Sequence, residues 1–214
     1  MKTITRDQLD AICNNGRPID SKGGFPAVVL HPDGTITKLW ARKKGFFSSA
    51  TLHPYSGRFV SNAAKLSALG IKVPEIIDHA RLENSHVRLV TYRGLSGDSI
   101  RELLETAPDQ VDMEALCRYI DHLHGKGISF GGMHLGNIIK MPDGYGLIDF
   151  TDVRFYGKSL TPQKRAANLR TPLRYQEDID RIQKAGLPEL VDSYLTVADL
   201  TDSEKVEVRK LLGR

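Results

Sequence analysis

Gly131-Gly132-Met133-His134-Leu135-Gly136-Asn137 leads into an aliphatic run, Asn137 to Met141, which turns at Pro142-Asp143-Gly144-Tyr145 and returns through Gly146-Leu147-Ile148-Asp149-Phe150. Two such runs flanking a Pro-Asp-Gly turn signal predict a β-hairpin. Asn137 and Asp149 stand six residues to either side of Asp143. Antiparallel pairing would set them nearly opposite one another, with Cα atoms roughly 4.5–5.5 Å apart. A carboxamide oxygen and a carboxylate that close form half of a hard-cation site, the kind that carries Mg²⁺ with nucleotide phosphates. A surface hairpin with two unrelated polar ends is the other reading of the same residues.

Working back from the hairpin, Met113, Leu116, Ile120 and Leu123 recur at helical spacing, so 112–125 reads as an amphipathic helix ending near Gly125-Lys126-Gly127. The order is then helix, Leu123-His124-Gly125-Lys126-Gly127-Ile128, a loop ending in Asn137, a hairpin, and Ile148-Asp149-Phe150. This resembles the catalytic core of the protein-kinase-like superfamily, and within it the bacterial lipopolysaccharide (Kdo/heptose) kinase group, whose loops often read D-x-H-x-x-N. The resemblance spans about residues 26–156 and is strongest over 119–156. It implies an α+β, two-lobed, protein-kinase-like fold. Residues 1–92 would form a small antiparallel-sheet lobe with one helix, and 93–214 a mainly helical lobe. It also implies ATP as phosphate donor and Mg²⁺ held by Asn137 and Asp149.

The same alignment shows a departure. The catalytic Asp of H-R-D-x-x-x-x-N falls on Gly132, which has no side chain to accept a proton. Loss of such a group costs something like ~10²–10⁴-fold, although positioning and electrostatics carry most of phosphoryl transfer. His134 and Asp152 are the nearby candidates to stand in. A loop-structuring His134 and a capping Asp152 are the plainer readings.

Ala27 to Leu30 and Thr35 to Trp40 flank Pro32-Asp33-Gly34, a second hairpin. By the resemblance Lys38 pairs the α- and β-phosphates; by alternation alone it is a solvent-facing lysine, and Lys43 and Lys44 show that lysine is common here. The following helix, about 56–69 with Phe59, Ala63, Leu66 and Leu69 on one face, carries no Asp or Glu to partner it. Gly70 and Pro74 end that helix. A phosphate loop would fall in Asn14–Phe25. That stretch has loop composition but no G-x-G-x-x-G, and the backbone N–H groups of Gly23 and Gly24 are its candidates to cradle phosphate. Val87 to Tyr92 reads as a strand. In the family the segment from Thr91 and Tyr92 to Gly94 is the hinge whose backbone reads the adenine edge. Asp98 or Ser99 caps a helix from Ile100. The missing base, glutamate and glycine loop together keep open a non-catalytic pseudokinase acting as a nucleotide-binding or scaffold module.

With 214 residues, 40% hydrophobic and 26% charged, the composition is that of an ordinary globular protein of one domain or two small lobes. No apolar run reaches the roughly 18–20 residues of a transmembrane helix, and Met1 to Arg6 lacks a signal-peptide core. Cys13 and Cys117 have no metal-binding spacing and read as free thiols of a reducing compartment. The expected location is cytoplasmic, with peripheral docking at the inner membrane left open. The net charge is only +4, but Arg154 to Lys184 holds eight Lys or Arg against three acidic residues. In kinase-like folds the acceptor docks there, so Arg165, Arg170 and Arg174 are candidates to recruit an anionic glycolipid or the inner-leaflet surface; a solvated helix face is the alternative. Nucleic acid has neither a recognition motif nor interleaved aromatics in its favour. The tail, from about residue 188, reads as helical, with Thr201 or Asp202 as a cap.

Overall fold

Residues 35–40 alternate strictly. Thr35, Thr37 and Leu39 are buried on one face, while Ile36, Lys38 and Trp40 are half-buried on the other, the period-two pattern of a strand covered on both sides. The computed structural model describes residues 1–22, 25–41 and 54–213. Among them the chain is an α+β protein that divides into two compact units, Met1–Leu95 and Ser96–Arg214.

The first unit is one six-stranded sheet and, among the described residues, two helices. The strands are β1 (Lys2–Ile4), β2 (Arg17–Lys22), β3 (Phe25–Leu30), β4 (Thr35–Trp40), β5 (Glu75–Leu82) and β6 (Arg88–Arg93); the helices are α1 (Arg6–Asn14) and α2 (Tyr55–Ala68). The strand order is β1-β5-β6-β4-β3-β2. Every neighbouring pair is antiparallel except β1, which runs parallel to β5 with Lys2 opposite Ala80. The expected antiparallel sheet with one helix is corrected on both counts. Thr5 closes a capping box with Gln8 that starts α1. Leu9 then buries completely against Ile4, Val29, Leu39, Ala80, Leu82, Val87 and Leu89 on one sheet face. On the other face Phe59 of α2 packs on Trp40 and Tyr92, with ring centroids 5.9 and 5.4 Å away. The helix ends as its sequence predicts: Gly70 is left-handed at φ 76°, and Ile71 N–H returns to the Leu66 carbonyl at 2.9 Å.

The Asn14–Phe25 stretch is corrected as well, since it contains β2. Pro18 is tolerated because β2 is an edge strand. The glycine preceding it marks a close approach: a Cβ on Gly16 would lie 2.5 Å from Val29 Cγ1 and 2.7 Å from the Leu30 carbonyl oxygen.

The second unit is mainly helical, with α3 (Ile100–Thr106), α4 (Met113–Gly125), α5 (Pro162–Leu169), α6 (Gln176–Lys184), α7 (Leu190–Val197) and α8 (Asp202–Leu212). Its short strands are β7 (Asp98–Ser99), β8 (Ile128–Phe130), β9 (Ile138–Met141), β10 (Gly144–Leu147) and β11 (Val153–Phe155). Ser99 with Glu102, and Thr201 with Glu204, close capping boxes on α3 and α8. The apolar face of α4, from Met113 through Leu116, Ile120 and Leu123, is buried. Two small antiparallel assemblies, β10-β9-β7 and β11-β8, bracket the 131–137 loop. No helix among the described residues is long and apolar enough to cross a membrane.

Candidate functional site

The loop after β8 is held from within. Met133 and Leu135 are buried and anchor it. Met133 N–H donates to the Phe130 carbonyl at 3.1 Å, His134 N–H to Gly132 at 2.8 Å, and Asn137 N–H to His134 at 2.9 Å. Asn137 Nδ2 donates to the Gly132 carbonyl at 2.9 Å, which commits the amide nitrogen and leaves Oδ1 as the oxygen donor for a ligand.

The hairpin forms where the turn signal puts it, but the register differs by one residue. Met141 pairs with Gly144 and Ile138 with Leu147, and Ile148 N–H donates to the Asn137 carbonyl at 3.0 Å. Asn137 is therefore opposite Ile148, not Asp149. The two-residue turn is centred between Pro142 and Asp143, and in a strand a one-residue slip changes face. Asp149 is turned back by its own backbone. It lies at φ 51°, ψ 39°, one of two non-glycine residues with positive φ among the described residues, the other being Asn84. Such a conformation costs about 1–3 kcal/mol and clusters at functional sites; Asp and Asn tolerate it best. Phe150, fully buried, fixes the chain just beyond.

Gly132 is hemmed in. A Cβ there would meet Phe130 Cε2 at 2.9 Å and Cζ at 3.3 Å, and the Phe130 ring is fully buried. His134 is half-buried, with its ring 4.9 Å from that of Tyr175. Its Nδ1 is buried with no hydrogen-bond partner among the described residues. Burial, then the nearby Arg101, lowers its pKa, against the opposing pull of Asp178 and Asp149. Arg101 itself is locked by a two-point bond to buried Asp178, Nε to Oδ1 at 2.7 Å and Nη2 to Oδ2 at 2.8 Å, and its guanidinium lies 5.2 Å from the Tyr175 ring centroid. His134 is thus packed as a wall of the loop. Asp152 is placed differently: its carboxylate is exposed, and Oδ2 is 2.4 Å from where a Cβ on Gly131 would be.

In the first unit, Lys38 lies on the α2 side of β4, half-buried, with Nζ 5.8 Å from the Trp40 ring centroid. The solvent-facing reading is replaced by this one. Thr91 and Tyr92 are in the interior of β6, which has β4 paired on one edge and β5 on the other. The Thr91 hydroxyl bonds that of Thr37 at 2.9 Å, and Tyr92 packs at a tilt on Phe59. They are sheet residues, which corrects the expectation of an open hinge backbone at these two positions. Gly23 and Gly24, between β2 and β3, and Lys43 and Lys44 lie outside the described residues.

Arg165 is the clearest correction among the basic residues. It is 1% exposed. Its Nη1 donates to Asp121 at 2.5 Å and to Tyr194 Oη at 2.6 Å, Nε to the Leu160 carbonyl at 2.9 Å, and Nη2 to Ser159 at 3.1 Å, so four of its five N–H donors are spent inside the protein. Arg170 and Arg174 are exposed, and Arg170 donates to the Leu211 carbonyl at 2.6 Å.

Arg165 also opens a buried polar chain that charge counting misses. Asn168 Nδ2 donates to the Phe130 carbonyl at 2.7 Å, so its Oδ1 takes the Phe130 N–H at 3.1 Å and His124 Nε2 at 3.2 Å. His124 Nε2 then carries the proton, and Nδ1 accepts from the Tyr194 hydroxyl at 2.8 Å. Burial, reinforced by Arg165, pushes the His124 pKa down to about 3. The chain ends on the residue before the loop, so it fixes where the loop starts.

No protein-family model matches this chain, and no curated protein does either. Among the described residues no group of three or more His, Cys, Asp or Glu is arranged to hold a metal. Mg²⁺ does not require one, since it is usually bound by one or two carboxylates with substrate phosphates and water. The hard oxygens of Asn137 and Asp149 fit that donor set.

Proposed function

We propose that this chain is an ATP- and Mg²⁺-dependent phosphotransferase of the lipopolysaccharide-kinase type, acting on a hydroxyl of an anionic glycolipid or small molecule. The observation that carries the proposal is Asp149, held in a strained left-handed conformation one residue past the position opposite Asn137. A bare surface hairpin has no use for that strain, whereas a carboxylate that must be aimed does. Asn137 contributes Oδ1, steadied by its bond to Gly132. Mg²⁺, when bound there, would offset the charge on the donor phosphates.

In the transfer, the acceptor oxygen bonds to the γ-phosphorus while the bond from that phosphorus to the β–γ bridging oxygen breaks, releasing ADP. The acceptor proton passes to Asp152, whose carboxylate is open to solvent beside the loop; His134, walled in against Tyr175, shapes the loop instead. Lys38 belongs to the other unit. One observation favours a second reading, a nucleotide-binding pseudokinase: the space a base at position 132 would need is occupied by Phe130.

Thermal shift with Mg²⁺ and ATP tests both readings, since a ligand at 100 Kd stabilises by about 2.7 kcal/mol. The expected result is a rise that disappears in Asp149→Ala. No rise at millimolar nucleotide refutes both. ATP turnover lost in Asp149→Ala and Asp152→Asn selects the enzyme; a nucleotide-induced shift without turnover selects the pseudokinase.

A further inference from the structure

We infer that a groove within the Ser96–Arg214 unit, between the β8–β11 ribbon and α5, binds a phosphomonoester carried on a small polyol. Arg154 is the middle residue of β11, with Asp152 and Tyr156 just outside its two ends; positions 164, 167 and 168 lie on one face of α5 by helical spacing. These two sets, Asp152-Arg154-Tyr156 and Lys164-Ala167-Asn168, line a hollow of about 180 Å³. Ala167 leaves the room; Ser129, cross-strand from Arg154, and Thr171 add hydroxyls. The volume is below the roughly 300–1,000 Å³ of pockets for drug-sized ligands, which suits a small metabolite or a headgroup.

The charge is arranged for an anion. Lys164 Nζ is held 4.1 Å from the Tyr156 ring centroid, a contact that positions an ammonium without neutralising it. Among the described residues neither the Lys164 nor the Arg154 side chain has a hydrogen bond or ion pair. Arg165, on the same helix, is buried and paired with Asp121, so α5 keeps one cation for the fold and presents another to the groove. The single carboxylate stands at the loop end. Asp152 ends the short helical turn just before β11, two residues from Arg154, and both line the hollow, so a phosphate on the cations leaves a hydroxyl a few bonds away facing Asp152. Guanidinium and ammonium together suit a phosphate dianion. The anion site stands without the phosphotransferase reading; the role given to Asp152 toward the hydroxyl rests on it.

Titration calorimetry at pH 7.5 and constant ionic strength, with the full chain and no nucleotide, tests the site. The probes are glycerol 3-phosphate, glycerol, and vesicles of phosphatidylcholine with and without phosphatidic acid. Saturable binding of glycerol 3-phosphate but not glycerol, weakened at least tenfold in Arg154→Gln/Lys164→Gln and unchanged in Lys184→Gln, supports the inference. Binding confined to phosphatidic acid vesicles, with the same variant pattern, also supports it and assigns the phosphate to a lipid headgroup. No binding of either phosphate, or binding undiminished in the double variant with its melting temperature intact, overturns it. Asp152→Asn should keep phosphate affinity while lowering kcat of any transfer. If phosphate binds but nucleotide does not, the phosphotransferase reading fails and the anion site remains; the reverse result removes the site alone.

Discussion

Acidification should destabilise the second unit through His124, by an amount that can be worked out. Its imidazole is completely buried, receives the Tyr194 hydroxyl on Nδ1, and has its pKa lowered to about 3, against about 6.5 in an unfolded chain. Between those values the unfolded state binds the proton and the folded state does not. Stability is therefore complete above pH 6.5 and declines as the pH falls toward 3. Linkage gives a loss of about 2 kcal/mol on going from pH 8 to pH 5. Other groups titrate over the same range, so the decisive quantity is a difference of differences. Urea unfolding followed by circular dichroism at pH 8 and pH 5 should show wild type losing about 2 kcal/mol more than His124→Gln, whose amide cannot titrate. Equal losses in the two proteins would refute the buried neutral imidazole and the hydrogen-bond order drawn from Asn168 to Arg165.

Asp121→Ala leaves the buried Arg165 guanidinium without its carboxylate, and should cost about 3–5 kcal/mol in urea unfolding; a loss under 1 kcal/mol would contradict the pairing. Gly132→Asp introduces a carboxylate where the proposed phosphotransferase reading lacks one, but drives its Cβ to 2.9 Å from Phe130. It should destabilise by roughly 1–3 kcal/mol, less in a Phe130→Leu background; additive effects of the two substitutions would show that the ring does not fill that space. Arg101→Met removes a cation that lowers the His134 pKa. The imidazole should titrate at higher pH by nuclear magnetic resonance, and an unchanged or lower value would break that assignment.

Sequence patterns with short-range causes were readable. Pro142-Asp143 marks a turn, Gly70 a helix end, and Ser99 and Thr201 helix starts, because each acts within a few residues. What depends on distant partners was not. The one-residue register of β9 on β10 follows from whether the turn is centred on a residue or between two, which a turn signal leaves open. β2 reads as loop because Gly16 and Pro18 are turn formers, yet an edge strand accepts both. α1 had a usable signal in the Thr5–Gln8 capping box. Arg165 enters a surface charge count like any other arginine, although its neighbours Ala166 and Leu169 already mark a buried helix face. Of the candidate site, the sequence showed an amide and a carboxylate near one hairpin, but not the pairing of Asn137 with Ile148. The left-handed turn at Asp149 and the crowding of Gly132 depend on Phe130 and Phe150, whose burial no local pattern dictates.

The parallel pairing of Lys2–Ile4 with Ala80–Leu82 governs the order in which this molecule can assemble. The strand Lys2–Ile4 precedes the strand it seals by more than seventy residues, so this edge of the first unit's sheet cannot close until Ala80–Leu82 has left the ribosome. Its edge stays open through most of its own synthesis, and the closing step joins the most widely separated residues in that sheet, where chain entropy opposes it most.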